Sequence, residues 1–495
     1  MAKQKMKKAK KPQRVLALDI GTRSIVGVLL ERSDEMVIQA VEYLEHEARS
    51  MYDGQIHDVE AVAAEIAIIK NRLQDATSLK LKRAAVAAAG RALKPATGTA
   101  TASRPHRLEV TWDEIKALEL EAVQKAQRKI AGEDKTPQGH FCVGYSVFNY
   151  TLEDQILQSL VGQTGQKIGV DIIATFLPRV VVDSLFSALR KAGLEPDSLT
   201  LEPIAALTAA IPPHMRLLNL VLVDIGAGTS DIALVQKEKI AAYAMVPVGG
   251  DEVTESLAEQ YLLDFNTAEK VKRQLSEKET LTFVDVLENR ITESSSVIIE
   301  RIRPVIRDLA TSIAREILTI NQKAPDAVIC VGGGSLTPEL LQDLANALEL
   351  PLNRVGIRTR ETLNGVKGEH PALTGPQAVT PIGIGLQAMT SRRLPLVKVK
   401  VNNHEIPLWG LQEITVSTAL LASGFSLNKI YGRPGMGLTA EVNGILRSFK
   451  GTLGKPSTIK VNGVAATFDT PLKSGDKVEF IPGQECQDPG QGSSE

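Results

Sequence analysis

The chain has 495 residues, enough for three or four folding units, with 43 % hydrophobic and 23 % charged residues, the balance of a globular protein rather than a disordered one. The net charge of −1 offers no general attraction to nucleic acid, and with only 4 % aromatic residues there is little material for a base- or sugar-stacking surface. Cys142, Cys330 and Cys486 lie far apart, so neither a zinc or iron–sulfur ligand set nor a disulfide framework is expected, and a reducing, cytoplasmic setting fits.

The first 13 residues form a basic arm. MAKQKMKKAKKPQR carries seven bases, no acid and no apolar segment behind them, so it does not read as a secretory signal. It reads as a solvated arm or as a contact for anionic lipid. Residues 15–30, VLALDIGTRSIVGVLL, read as two strands joined at Gly21–Ser24. Residues 58–76 have helical spacing of apolar residues, with Asp58 as cap. A different unit is expected from 84 to 178: a strand in AAVAAAG, a charged helix at 112–131, and a strand pair at 141–150 and 168–177. A helix over 179–193 then stops at Gly193.

A second strand–turn–strand follows at 219–235, NLVLVDIGAGTSDIALV, and helices are expected to dominate from 250 to 323. DAVICV (326–331) reads as a strand, Gly332–Ser335 as a turn, and Thr337 to Leu348 as a helix whose N-terminal end the glycines would adjoin. From 392 to 482 the helical period gives way to short β segments, with hairpin signals at Asn443–Gly444 and Asn462–Gly463 and a turn at Gly475–Asp476. Residues 483–495 read as a disordered tail.

The two strand–turn–strand units share an apolar strand, Asp-Ile-Gly, small and hydroxyl residues, and a second apolar strand. Their separation by nearly half the chain is that of a duplicated half. Glycine lets backbone N–H groups approach and cradle an anion, and Thr22, Ser24, Thr229 and Ser230 add hydroxyl donors. Asp19 and Asp224 cannot bind phosphate directly, but they can hold Mg²⁺ through water. One such turn alone would read as a plain hairpin; two with matching strands point to a polyphosphate and its metal held between two halves. Rival signatures fail. Gly451-Thr-Leu-Gly454-Lys455-Pro456 has the wrong spacing for a P-loop, Asp231 stands where a dinucleotide fingerprint needs its third glycine, and His46-Glu47 lacks the second histidine of a zinc-protease helix.

These motifs resemble the actin/Hsp70/sugar-kinase ATPase superfamily, and within it the bacterial FtsA-type cell-division proteins. Five segments occur in order: a first phosphate loop at 15–31, a first connecting motif at Leu201-Glu202-Pro203-Ile204-Ala205, a second phosphate loop at 221–235, an adenosine motif at Val331–Ser335, and a second connecting segment at 376–389. Residues 157–206 resemble the end of the FtsA-type inserted subdomain, and Val246–Thr254 resembles the segment after the second phosphate hairpin. The pilus-assembly protein PilM shares this plan.

The resemblance implies an α/β, actin-like (duplicated ribonuclease-H-like) fold. Its halves would be 14–83 with 179–200, and 201–391, with the inserted subdomain at 84–178 and the β-rich domain at 392–482. ATP and Mg²⁺ are the implied cofactors. Asp19 and Asp224 would organise Mg²⁺, and Gly21, Thr22, Ser24, Gly226, Gly228, Thr229, Gly249 and Gly250 would surround phosphates. Gly332, Gly333, Gly334 and Ser335 would approach the nucleotide. Glu202 matches a glutamate that orients water near the γ-phosphate; its place at a helix start is equally explained by the helix dipole. Glu269, Lys272 and Arg273 match a helix that holds adenosine, a spacing also common on solvated helices.

The implied function is a nucleotide-gated assembly or scaffold factor in cell division or an envelope machine, with slow or no hydrolysis. The alternatives are a PilM-like pilus scaffold and a small-molecule kinase of the sugar-kinase branch. Self-association and a division or envelope partner are implied (a tubulin-like division protein for a true FtsA), without nucleic acid. FtsA proteins usually end in an amphipathic membrane-binding helix, whereas QECQDPGQGSSE cannot form one. Peripheral contact with the inner face of the cell membrane would then fall to the basic N-terminus or to a partner. The segment TIKVNGVAATFDTPLKSGDKVEFIPG weakly resembles β-grasp modules.

Overall fold

The computed structural model describes residues 12–46, 50–52, 54–88, 93–133, 140–390, 396–409, 414–416, 419–420, 423, 438–442, 445–449 and 457–482. The N-terminal arm (but for its last two residues), the Asn443–Gly444 hairpin signal, the segment 451–456 and the tail at 483–495 lie outside these residues. Two compact units divide the chain, residues 1–393 and 394–495.

The first unit contains two large sheets with one shared plan. In the second half the strands run in the order Lys239–Val246, Ser230–Gln236, Leu220–Ile225, Ala327–Val331, Val355–Ile357. The first three form an antiparallel meander and the last two join in parallel. The first half repeats this with Met36–Glu45, Ser24–Arg32, Gln13–Ile20, Arg83–Ala88 and Glu195–Leu201. The short strand Val366–Lys367 adds to its edge in parallel. This is the duplicated, ribonuclease-H-like architecture that the motifs imply.

Alternation along the strands explains how the layers assemble. Val221, Val223 and Ile225 face one side, where Ile302, Ile306 and Ile313 of the helix Ser295–Asn321 cover them. Leu220 and Leu222 face the other side and join a core with Ala17, Val28 and Leu30 of the first sheet. Between the sheets lie helices Glu202–Ala210 and Val379–Thr390. Their crossing is close: a Cβ on Gly383 would stand 1.9 Å from the Ala205 carbonyl oxygen.

Asp58 caps the helix Val59–Thr77, accepting from the Glu60 and Ala61 amides, and Gly193 (φ 73°) closes the helix Arg179–Lys191. The inserted subdomain is an antiparallel sheet in the order Lys94–Glu109, Thr164–Pro178, His140–Leu152, Gln155–Leu157, packed by the helix Trp112–Glu133. Buried Glu119 accepts from the Tyr145 and Tyr150 hydroxyls at 2.7 and 2.6 Å.

Four expectations are corrected. Arg83–Ala88 is not part of the insertion expected from residue 84; its apolar run AAVAA, after the exposed Arg83, sits beside Gln13–Ile20 inside the first sheet, where both faces are covered. Val366–Lys367, expected in the second half, pairs with Met36–Glu45 of the first. The helical stretch 250–323 is interrupted by a hairpin, Thr280–Val284 with Arg290–Ser294, in which Leu281 and Phe283 alternate inward. The helix expected from Thr337 begins at Leu340, because Thr337 precedes Pro338 and adopts an extended conformation. The glycine triplet therefore adjoins the short 3₁₀ turn Gly333–Leu336 and not a helix N-terminus.

The second unit has a sheet in the order His404–Trp409, Leu396–Val401, Lys477–Ile481, Thr458–Val461, Val464–Ala465. The central pair, Leu396–Val401 with Lys477–Ile481, is parallel and the other pairs are antiparallel, as in a β-grasp sheet. Val399, Val401, Ile459, Val478 and Phe480 form its core. Asn462 (φ 52°) and Gly463 (φ 81°) make the tight turn that their sequence announces. Among the described residues, no helix is long and apolar enough to cross a membrane.

Candidate nucleotide cleft

The two glycine turns match position for position. Gly21 N–H donates to the Ser24 carbonyl at 3.0 Å, and Gly226 N–H donates to the Thr229 carbonyl at 2.9 Å. Asp19 stands opposite Val26 in the first hairpin as Asp224 stands opposite Asp231 in the second. The duplicated hairpins thus share register and turn closure, and the second adds an acid where the first has valine.

Carboxylates converge behind the turns. Burial, and then the charge of Asp224, push Asp19 up to about 7. Burial raises Asp224 to about 6, although the Thr380 hydroxyl donates to its Oδ2 at 2.5 Å and opposes the rise. Glu202 opens its helix, and burial followed by the charges of Asp231, Asp19 and Asp224 pushes it well above the usual carboxylate range. So much unneutralised negative charge in one place fits a site for a divalent cation. Among the described residues, no three His, Cys, Asp or Glu side chains are placed to ligate a metal directly.

Glycines crowd the second turn. A Cβ on Gly332 (φ 79°) would lie 2.4 Å from Asp224 Oδ1, one on Gly334 2.8 Å from the Gly226 carbonyl oxygen, and one on Gly249 2.5 Å from the Ala227 carbonyl oxygen. The amides of Gly250 and Asp251 donate to the Gly226 and Ala227 carbonyls at 3.0 and 2.8 Å. Only glycine allows these approaches. A Cβ on Gly333 would meet nothing within 4 Å, so its lack of a side chain is not required by the protein's own packing. Gly228 and Thr229 are buried in the turn. Ser335 is 1 % exposed and its hydroxyl donates to the Gly332 carbonyl, so it shapes the turn from inside. Thr22 Oγ1 accepts from Gly54 N–H at 3.1 Å, which leaves the hydroxyl proton to donate. Ser24 begins the second strand of the first hairpin.

Glu269, Lys272 and Arg273 lie on the helix Phe265–Gln274. Lys272 Nζ donates to the Gly250 carbonyl at 2.8 Å and to Thr254 Oγ1 at 2.7 Å, and pairs with Glu269 at 2.7 Å. Burial alone would raise Glu269, but the Lys272 charge, the hydrogen bonds from Lys272 and Thr254, and the Arg23 charge hold it at about 2. Contacts from the first half then reach this lobe. Arg23, in the first turn, bonds Asp251 Oδ1 at 2.6 Å and lies 4.7 Å over the Phe265 ring. Arg273 pairs with Glu45 at 2.8 Å.

The motifs did not single out Arg23, His46, Thr254 or Thr380 as site residues, and Asp231 counted only against another fold. Asp231 had a signal, since it falls on the same face of its strand as the turn-proximal Asp224 of the partner strand. The others depend on contacts between segments distant in sequence.

A family model described as cell division protein FtsA matches residues 221–383. The chain is 22 % identical to the cell division protein FtsA of Pseudomonas aeruginosa over 75 % of this chain and 89 % of that protein. It is 25 % identical to the FtsA of Bacillus subtilis over 49 % of this chain and 54 % of that one. A solved structure described as a PilM-PilN type IV pilus biogenesis complex shares the fold, with a TM-score of 0.58 and 20 % identity over 76 % of this chain and 99 % of that one. The chain is thus similar to FtsA-type proteins in sequence, and its first unit has the actin-like ATPase fold, which the PilM structure shares.

Proposed function

We propose that this chain binds Mg-ATP between the two halves of its first unit and uses the bound nucleotide to gate assembly or scaffolding in cell division or an envelope machine. One observation carries the reading. Two identically closed glycine turns each end a strand that carries an aspartate, and Asp19 feels the charge of Asp224, so a polyphosphate with its cation would answer both halves at once. Differential affinity for the closed arrangement is then what lets nucleotide act as a gate.

In this reading Asp19 and Asp224 orient the waters of Mg²⁺, which supplies charge neutralisation for the phosphates. Gly21, Thr22, Ser24, Gly226, Gly228 and Thr229 offer amides and hydroxyls to phosphate oxygens. Gly249, Gly250 and Gly332–Gly334 let backbone come close, and Ser335 keeps that turn in shape. Glu269, Lys272 and Arg273 border the nucleoside, and Glu269 would exchange part of its present bonding for ribose hydroxyls. Glu202 can orient water only once the surrounding negative charge is offset, which fits slow or no hydrolysis.

The relatives' name supports a division role. To that role the proposal adds self-association and a tubulin-like or envelope partner, at a cytoplasmic, membrane-peripheral site reached through the basic N-terminus or that partner. The PilM structure, matched over 99 % of its length, supports a pilus-type scaffold as the second reading. Light scattering and phosphate release, followed on one sample with Mg-ATP, Mg-ADP or no nucleotide, test the proposal. Scattering that follows ATP with slow release supports it, and assembly indifferent to nucleotide contradicts it.

A further inference from the structure

His46 follows the strand Met36–Glu45, and its buried side chain has no part in the reading above. Its backbone N–H donates to the Arg23 carbonyl at 3.1 Å. Its Nε2 lies 2.9 Å from the Gly21 carbonyl oxygen, and its Nδ1 lies 2.6 Å from Glu65 Oε2 on the helix Val59–Thr77. Ser50 Oγ stands 3.3 Å from Nδ1. One residue therefore holds two of the carbonyls of the first glycine turn.

The protons follow from the partners. A carbonyl oxygen only accepts, so Nε2 carries a hydrogen toward Gly21. A ring nitrogen 2.6 Å from a carboxylate oxygen also needs a proton between them, since two lone pairs repel at that distance. The side chains of Arg23, across the turn, and of Glu45, next in the chain, are engaged by Asp251 and Arg273.

Peptide geometry turns this into a statement about ligand. In a planar trans peptide the C=O and the next N–H point in opposite directions. Holding the Gly21 carbonyl on His46 therefore aims the Thr22 N–H away from the histidine. The Gly21 N–H is already bonded to Ser24. In the second turn the equivalent Gly226 carbonyl is held by the Gly250 amide, which does not titrate. The first turn's carbonyl is held instead by a side chain whose place Glu65 sets.

We propose that His46, oriented by Glu65, is a positioning residue for the nucleotide's phosphates: it fixes the Gly21–Thr22 peptide so that the first turn's amides face the phosphate. This rests on the nucleotide-binding reading above. The test is calorimetry of Mg-ATP, Mg-ADP and adenosine on the full chain at neutral pH, for wild type, His46→Gln, His46→Ala and Glu65→Gln, with folding followed by circular dichroism.

His46→Ala should weaken Mg-ATP about tenfold, the worth of one hydrogen bond serving a charged ligand, and leave adenosine unchanged. His46→Gln, whose amide N–H can replace Nε2–H, should recover most of that affinity. Glu65→Gln, which loosens the hold on Nδ1, should weaken Mg-ATP by less than His46→Ala and leave adenosine unchanged. Equal Mg-ATP affinity for wild type and His46→Ala overturns the proposal. A loss as large for adenosine as for Mg-ATP also overturns it, because that marks a general disturbance of the cleft. If His46→Ala does not fold, Glu65→Gln decides alone, and a Mg-ATP affinity equal to that of wild type overturns the proposal. Wild type that binds no Mg-ATP removes the nucleotide reading itself, an outcome distinct from a wild type that binds normally and ignores His46.

Discussion

Asp224→Asn should stabilise the ligand-free protein at neutral and higher pH while destroying the site. Asparagine keeps an oxygen for the Thr380 hydroxyl and removes one charge from the cluster of Asp19, Asp224, Asp231 and Glu202. Folding raises Asp224 from 3.8 to about 6. Between those values the folded state binds more protons than the unfolded chain, so stability falls as pH rises through the window and the penalty is complete above it. At about 1.4 kcal/mol per pH unit the ionised group costs the fold about 3 kcal/mol. Asp19, raised to about 7, acts in the same direction. Urea unfolding with EDTA, at about pH 8 and at about pH 4, is the assay. The variant should gain about 2–3 kcal/mol at the higher pH, with the gain vanishing at the lower. Mg-ATP should reverse the order by stabilising only the wild type. A variant less stable than wild type at pH 8 without metal, or an advantage independent of pH, would refute the reasoning.

Gly383→Ala would place a methyl carbon 1.9 Å from the Ala205 carbonyl oxygen, so the central helices must separate, at about 1–3 kcal/mol. A thermal melt should show that loss, whereas Gly356→Ala, whose Cβ meets nothing within 4 Å, should leave the melt nearly unchanged. Arg23→Ala removes the ion pair to Asp251 and the contact over Phe265, together about 1 kcal/mol, so amide exchange in the helix Phe265–Gln274 should quicken about fivefold. High salt should quicken exchange more in the wild type than in the variant, which keeps the Glu269–Lys272 and Arg273 pairs.

What the sequence discloses is what short segments decide. The Asp-Ile-Gly turns carry their own glycines, hydroxyls and flanking apolar strands, so the duplication of the sheets is visible in the residues of 15–30 and 219–235. The cap at Asp58, the stop at Gly193 and the turn at Asn462–Gly463 are equally local. Arg83–Ala88 was misplaced because a short alanine-rich run does not state which sheet will cover it. His46 was legible only as half of an absent zinc motif, since its meaning depends on Glu65 and Gly21 arriving from other elements. The cross-cleft pairs Arg23–Asp251 and Arg273–Glu45 likewise need both halves in place. The helix start after the glycine triplet was anticipated too early, although Pro338 marked the delay.

The most direct test of the central claim is calorimetric titration of Mg-ATP into the full-length protein and into Asp224→Asn, with and without EDTA. The account predicts saturable, Mg²⁺-dependent binding to wild type that the variant loses. Well-folded wild type that takes up no Mg-ATP would contradict it.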